Sequence, residues 1–295
     1  MEINLCKWMA ELNADLPVLQ YNIPGTHDSV TKYVQFSYIT KCQNLDIYEQ
    51  LCLGIRALDI RVAGKNERLK MVHAFAKAFN TPNHFGKQMD LSDVLEHCYR
   101  FLEENPSETI IFQFKNDSSS ENEKCFDNLF YTYIKGNENK WFLENRVPAL
   151  GETRGKIVLI RRCKMYEKEE FTPLNTGIDF SHWIEQDVVK PYPLLLETGG
   201  KHNAEFIIQD RYKYTPIPKW NECARMFLDN SAPFYEKYAI NYLSTAGGLK
   251  GPRGNAKYIN SQFMDYKLIK GSYYGIIFCD FPTKELTSKI IETNL

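Results

Sequence analysis

A chain of 295 residues, 43% hydrophobic and 14% aromatic, can bury roughly 75% of the surface it exposes when unfolded. Its formal net charge of −1 excludes a long-range pull toward nucleic acid and strong steering toward anionic membranes. No run approaches the ~20 apolar residues of a membrane-spanning helix, so the expected classes are one large α/β domain or two smaller ones.

The N-terminus, MEINLCKWMAELNADL, has no basic region followed by an apolar one. A chain that starts here is expected to stay in the cytoplasm, or to be secreted if it is a mature form restarted with Met. Eight short runs then have strand length and composition: VLQYNI (18–23), IRALDIRV (55–62), LKMVHAF (69–75), TIIFQFK (109–115), KIVLIRR (156–162), FIIQDRY (206–212), AINYLST (239–245) and YYGIIFCDF (273–281). Pro24-Gly25, after the first run, reads as a turn. Helical patterns fall between several runs. NLDIYEQLCLG reads as a short helix stopped by Gly54. Leu91, Val94, Leu95, Cys98 and Leu102 form one apolar stripe, with Asp90 as N-cap and Asn105-Pro106 as the stop. Trp220, Cys223, Ala224 and Phe227 form a second stripe, and Thr283 caps a closing helix carrying Leu286 and Ile290.

Strands alternating with helices predict a single irregular (β/α)₈ TIM barrel spanning residues 1–295. Between Val62 and Leu69 only AGKNER intervenes, too short for a helix, so either the barrel crosses over without one or the two runs form a hairpin. Segment 163–205 has no clear helix, which makes the barrel irregular on that side. The eight cysteines (6, 42, 52, 98, 125, 163, 223 and 279) show no CxxC and no Cys/His ladder. They read as buried free thiols rather than a zinc site.

Polar residues sit in or just after the C-terminal halves of the runs, where a barrel gathers its active site. They are His27 and Asp28; Asp59 and Arg61; His73; Lys115; Arg162; Asp210 and Tyr212; Ser244 and Thr245; and Asp280. Each alone has an ordinary reading, as a structural histidine, a helix cap or a solvated strand end. Together they offer two imidazoles for base and acid and an aspartate to fix a tautomer. Guanidinium and ammonium groups suit a phosphate, and Asp, Arg and Tyr suit a polyhydroxylated ring. The set reads as cleavage of a phosphodiester on a sugar-like or cyclitol ring. His97 is expected on an exposed helix face, and His84, His182 and His202 in loops.

The stretches KWM, IPGTHDS, GIRALDIR, the histidine of MVHA, GKIVLIRR, IQDRY and CDF run in order from Lys7 to Asp280. In this the chain resembles the bacterial phosphatidylinositol-specific phospholipases C, single-domain relatives of the eukaryotic X region. The resemblance implies metal-independent cleavage of phosphatidylinositol to diacylglycerol and inositol 1,2-cyclic phosphate. It implies His27 as general base held by Asp280, and His73 as general acid supported by Asp28. Arg61 would clamp the phosphate beside Asp59, and Lys115, Arg162, Asp210 and Tyr212 would hold the inositol ring, with Trp183 as a further contact. No cofactor and no metal are expected, because Arg61 stands where calcium-dependent relatives carry an acidic ligand. A metal-dependent glycerophosphodiester phosphodiesterase and a non-catalytic inositol-phospholipid-binding module are the alternatives. The expected partner is membrane phosphatidylinositol, docked peripherally and weakly, with glycosylphosphatidylinositol anchors as a second class; nucleic acid is not expected, and the chain is expected to be a monomer. Two features depart from the family. HAFA replaces its usual His-Gly, placing Ala74 after His73. The rim stretches 33–41 and 244–258 offer Tyr38, Ile39, Lys250 and Arg253 but no tryptophan, and read equally as mobile polar loops.

Overall fold

The computed structural model describes residues 3–117, 126–165, 169–172, 174–187, 194–198, 204–229 and 237–295. Eight parallel strands form its barrel: Ile23–Thr26, Ala57–Lys65, Thr109–Asn116, Lys156–Arg161, Ile178–Asp179, Glu205–Gln209, Lys237–Tyr242 and Ile276–Cys279. Their backbone pairing runs unbroken from Ile178–Asp179 through Lys156–Arg161, Thr109–Asn116, Ala57–Lys65, Ile23–Thr26, Ile276–Cys279 and Lys237–Tyr242 to Glu205–Gln209. Leu194–Glu197 adds an antiparallel strand on the free edge of Glu205–Gln209. Among the described residues no backbone ladder closes the ring there. Side chains span the gap instead: the Phe180 and Phe206 rings lie 4.7 Å apart, and the Gln186 amide bonds Ile208 O and Asp210 N.

Helices Ile47–Cys52, Leu91–Glu104, Phe126–Ile134, Pro216–Asp229, Gly251–Asp265 and Lys284–Ile291 lie along the connections, and none is described between Arg161 and Glu205. The caps follow the sequence: the Asp90 side chain accepts from Ser92 N, and the Thr283 side chain from Leu286 N. Gly54 ends its helix at φ +98°, a backbone conformation open mainly to glycine.

Several expectations need correction. Val18–Gln20 is a 3₁₀ turn, and the first strand is Ile23–Thr26, through the expected Pro-Gly turn. The strand is packed so closely that a Cβ on Gly25 would lie 2.8 Å from the Phe278 ring and 3.0 Å from Ala57 Cβ. The run 69–75 is not a barrel stave. Strand Arg68–His73 folds back antiparallel on Ala57–Lys65, so AGKNER spans a hairpin that turns at Asn66-Glu67, and Ile178–Asp179 supplies the missing stave. Residues 251–258, read as rim loop, begin the helix Gly251–Asp265. That helix buries Ala256, Ile259 and Phe263, a stripe hidden behind its glycine-rich start. Cys42, Cys98, Cys223 and Cys279 are buried free thiols, Cys6, Cys52 and Cys163 are partly buried, and Cys125 and His202 lie outside the described residues.

Strand alternation positions the site. Side chains on a strand alternate between faces, and here Leu58, Ile60, Ile110, Phe112, Ile157 and Leu159 pack in one core with helix Leu91–Glu104. Ile23, Ala57, Ile111, Val158, Ile160, Phe206, Ile208, Ile240, Tyr242, Ile276 and Phe278 pack in the other, the barrel interior. Counting on by twos from the inner set reaches 27, 59 and 61, 115, 162, 210 and 212, and 280. The interior is apolar until the strands end, and then turns polar on the same face.

Candidate active site

His27 follows the first strand and donates its backbone N–H to Cys279 O at 3.1 Å. Asp280, one residue past the last strand, therefore lies beside it, and His27 Nδ1 is 2.9 Å from Asp280 Oδ1. The chain turns sharply at Asp28, at φ +44°, which brings the fully buried Asp28 carboxylate under His27. Asp28 Oδ2 is 3.0 Å from His27 Nε2 and 3.1 Å from His73 Nε2, so one oxygen serves both imidazoles. The two rings stand edge to face with centroids 6.1 Å apart. Asp28 Oδ1 meets Arg61 Nε at 3.0 Å, and Asp59 Oδ2 meets Arg61 Nη2 at 3.0 Å. Arg61 Nη1, 3.9 Å from Asp117 Oδ2, is beyond hydrogen-bond distance of that carboxylate.

The electrostatics follow from this packing. Burial opposes a charged His27, but the Asp28 and Asp280 carboxylates outweigh it and raise its pKa well above the ordinary value of 6.5. Burial likewise opposes ionisation of Asp28, yet Arg61 and the two histidines hold its carboxyl well below the usual range. Asp117 is lowered to about 2, burial being outweighed by Arg61 and Lys115.

A second wall continues from Arg61. Lys115 Nζ lies 3.1 Å from Asp117 Oδ1 and 3.3 Å from Glu185 Oε1, and Arg162 Nη2 is 3.2 Å from the same Glu185 oxygen. The Arg162 guanidinium stacks 3.7 Å above Trp183, whose ring meets Tyr242 edge on, and Tyr242 in turn meets the edge of His27. Asp210 and Tyr212 follow the strand Glu205–Gln209. Burial raises the Tyr212 phenol, with Glu185, Asp187 and Asp210 adding to it and Arg162 opposing.

The structure thus brings His27, Asp28, Asp59, Arg61, His73 and Asp280 into one contact network. Lys115 joins it through Asp117, and Arg162 through Glu185; Asp210 and Tyr212 stand on the adjoining strand end. Of the other histidines, His97 is half-exposed and accepts from Tyr48 N, His84 packs on Phe79, and His182 is exposed. Sequence reasoning missed Gln113, Asp117, Glu185 and Tyr242. Gln113 donates to Asp59 and to the Tyr242 hydroxyl, tying the floor together. Residues 113, 117 and 242 all fall on the inward parity, which was a usable signal; Glu185 lies in a loop and gave none.

His27, Asp28 and Cys42 are the described residues whose ligand atoms, within 4.8 Å of one another, come closest to a metal set. They do not fit calcium, which takes 6–8 oxygen ligands. The Arg61 guanidinium occupies the space between Asp28, Asp59 and Asp117. Burial also pushes the Cys42 thiol up, so that it stays protonated.

Comparison with known proteins agrees with this geometry. The family described as phosphatidylinositol-specific phospholipase C, X domain, matches residues 14–163. A 1-phosphatidylinositol phosphodiesterase of Staphylococcus aureus (strain Newman) is 31% identical over 275 residues, covering 89% of this chain and 82% of that protein. This chain belongs to the phosphatidylinositol-specific phospholipase C X-domain family. The solved phosphatidylinositol-specific phospholipase C from Listeria monocytogenes superposes with a TM-score of 0.76 at 25% identity, over 99% of this chain and 100% of that one. A Staphylococcus aureus structure, from work on modulating that enzyme's membrane binding, gives 0.82 at 23% identity over 99% and 98%. Both are the same irregular barrel.

Proposed function

We propose that this protein is a phosphatidylinositol-specific phospholipase C that releases diacylglycerol and inositol 1,2-cyclic phosphate, with residues 1–295 acting as one catalytic domain. The observation that carries this reading is a single carboxylate oxygen, Asp28 Oδ2, within 3.1 Å of two imidazole Nε2 atoms, with a guanidinium on its partner oxygen. That arrangement holds a base, an acid and a phosphate clamp around one small space.

In this reading the substrate parts His27 Nε2 from Asp28. His27 then takes the proton of the inositol 2-hydroxyl, and Asp280 holds the Nδ1–H of the imidazolium that forms. The freed oxygen attacks the adjacent phosphorus. Because nucleophile and electrophile share one molecule, orientation supplies roughly 7–11 kcal/mol of the barrier reduction. Arg61 offsets charge on the phosphate oxygens, and Asp59 fixes the guanidinium plane. The bond to the diacylglycerol oxygen breaks as His73 Nε2 delivers a proton to it, with Asp28 supporting the charged ring. The base gains one proton and the acid loses one. Lys115, Arg162, Asp210 and Tyr212 hydrogen-bond the ring hydroxyls, and Arg162 Nε and Nη1, buried with no hydrogen-bond partner among the described residues, are donors suited to that task.

The lipid is met at the rim. Phe36, Tyr38, Ile39, Phe75 and Leu249 are 61%, 71%, 53%, 67% and 93% exposed, an apolar set around the histidines that suits peripheral docking without tryptophan. Glycosylphosphatidylinositol anchors are a second substrate class with the same cleaved bond, and action as a monomer is part of the proposal.

Turnover of phosphatidylinositol vesicles by the wild type, absent in His27→Ala and His73→Ala proteins that still sediment with the vesicles, is the expected result. Equal lipid association with no turnover by the wild type would instead make the protein a binding module.

A further inference from the structure

The general acid assigned above is built into the rim itself. His73 Nδ1 lies 2.7 Å from the carbonyl oxygen of Thr40. A carbonyl only accepts, so Nδ1 carries a proton and Nε2 is the nitrogen that exchanges one. Thr40 ends the short rim helix Ser37–Thr40 and is buried. Its hydroxyl reaches back to Gln35 O at 2.5 Å and Phe36 O at 3.1 Å, which fixes the peptide whose carbonyl meets His73.

The residues leading into this helix, Gln35 and Phe36, grip the chain on the other side of His73. Ala74 and Phe75 form the tip between strands Arg68–His73 and Ala76–Phe79, with His73 opposite Ala76. Phe75 packs on Phe36 with ring centroids 5.6 Å apart, and Gln35 N bonds Lys77 O. At the far edge of the tip, Ala74 N donates to Asp117 Oδ2 at 3.0 Å. The Tyr38 hydroxyl donates to Leu249 O, and a Cβ on Gly251 would lie 2.3 Å from Tyr38 O, so the rim helix is wedged against the opposite rim.

We propose that Thr40 is a positioning residue: the rim helix, locked by the Thr40 hydroxyl and the Phe36–Phe75 contact, sets the tautomer and aim of the general acid His73. The proposal rests on the acid role of His73 given above. It implies that disturbing the rim slows proton delivery to the leaving oxygen even when no lipid surface is present.

The test uses two monomeric, water-soluble inositol phosphodiesters, one with an alkyl alcohol as leaving group and one with nitrophenol. Nitrophenolate departs without protonation, so a defect in the acid shows only with the alkyl ester. Thr40→Val is expected to lower kcat on the alkyl ester by about tenfold or more while leaving the nitrophenyl ester within about threefold. Phe75→Ser should act in the same direction, more weakly. Thr40→Ser should recover most of the loss, which separates the hydroxyl's task from general unfolding. Equal losses on both esters, or no loss in Thr40→Val, would overturn the proposal. Imidazole ¹⁵N shifts give a readout independent of turnover: His73 protonated at Nδ1 in the wild type, and a tautomer mixture in Thr40→Val. Wild-type protein that turns over neither ester would sink the proposed activity, while an unchanged His73 tautomer in Thr40→Val would sink the positioning role.

Discussion

At the scale of single residues, the site depends on carboxylates that raise one imidazole. Because the folded pKa of His27 lies above its unfolded value, its pairing stabilises the fold fully below pH ~6.5 and fades as pH rises through the folded value. Asp28 has the opposite sign: its stabilisation is present above the unfolded carboxyl pKa and is lost as pH falls toward the depressed folded one. In the proposed mechanism His27 acts as a neutral base, so kcat/KM should rise with pH along a limb above 6.5. Asp280→Asn removes one of the charges that raise His27. It should move that limb to lower pH and cost ~10²–10⁴ in kcat/KM; a limb that stays put would show that Asp280 does not hold the base. Ala74 gives a stability prediction. It sits at φ +50° with its side chain exposed, where glycine is favoured. An L-residue pays about 1–2 kcal/mol there, partly offset by the extra unfolded-state freedom of glycine. Ala74→Gly should therefore raise the denaturant midpoint by up to about 1 kcal/mol of stability, and a lower midpoint would contradict this.

At the scale of elements, the helices with clean apolar stripes and caps were legible: Leu91–Glu104 behind Asp90 and Lys284–Ile291 behind Thr283 stand where the pattern put them. The gathering of polar residues at the strand ends was legible for a related reason. Strand ends that break an apolar alternation with charge are visible in one dimension, and His27, Arg61, Lys115, Arg162 and Asp280 were found that way. What hid were features set by tertiary contact. Pro24 and Gly25 look like a turn, but pairing with Ile277 and Phe278 makes them strand. Ile178–Asp179 is only two residues long and is a strand because Lys156–Arg161 offers an edge. Phe126–Ile134 buries Phe126, Phe130 and Ile134 on one side but carries Tyr131 and Tyr133 outside that stripe, which blurs it in the sequence, and Gly251–Asp265 opens on glycines that read as loop. Glu185 joins Lys115 to Arg162 from a loop, so neither spacing nor periodicity announces it.

At the scale of the molecule, the two ends of the barrel divide the work. At the N-terminal ends of the strands, Arg56 and Glu108 form a fully buried pair at 2.7 Å. The same guanidinium bonds the carbonyls of Leu5, Cys6, Leu51 and Ile55, tying the N-terminal segment to helix Ile47–Cys52. Among the described residues, none of these Arg56 partners belongs to the candidate site. Glu108→Ala strands a buried cation and should cost about 3–5 kcal/mol of stability, while product formed per folded molecule stays unchanged; a stable variant with lowered turnover would refute this division. At the C-terminal ends the histidines, Arg61 and the apolar rim converge, and the central claim is that they run a metal-free attack of the inositol 2-hydroxyl on its own phosphodiester. The most direct measurement is ³¹P NMR of the purified protein with phosphatidylinositol in excess chelator. A cyclic phosphodiester resonance should appear as the lipid signal falls, at the same rate with and without chelator. Direct formation of inositol monophosphate with no cyclic species, or activity that returns only on adding a divalent cation, would contradict it.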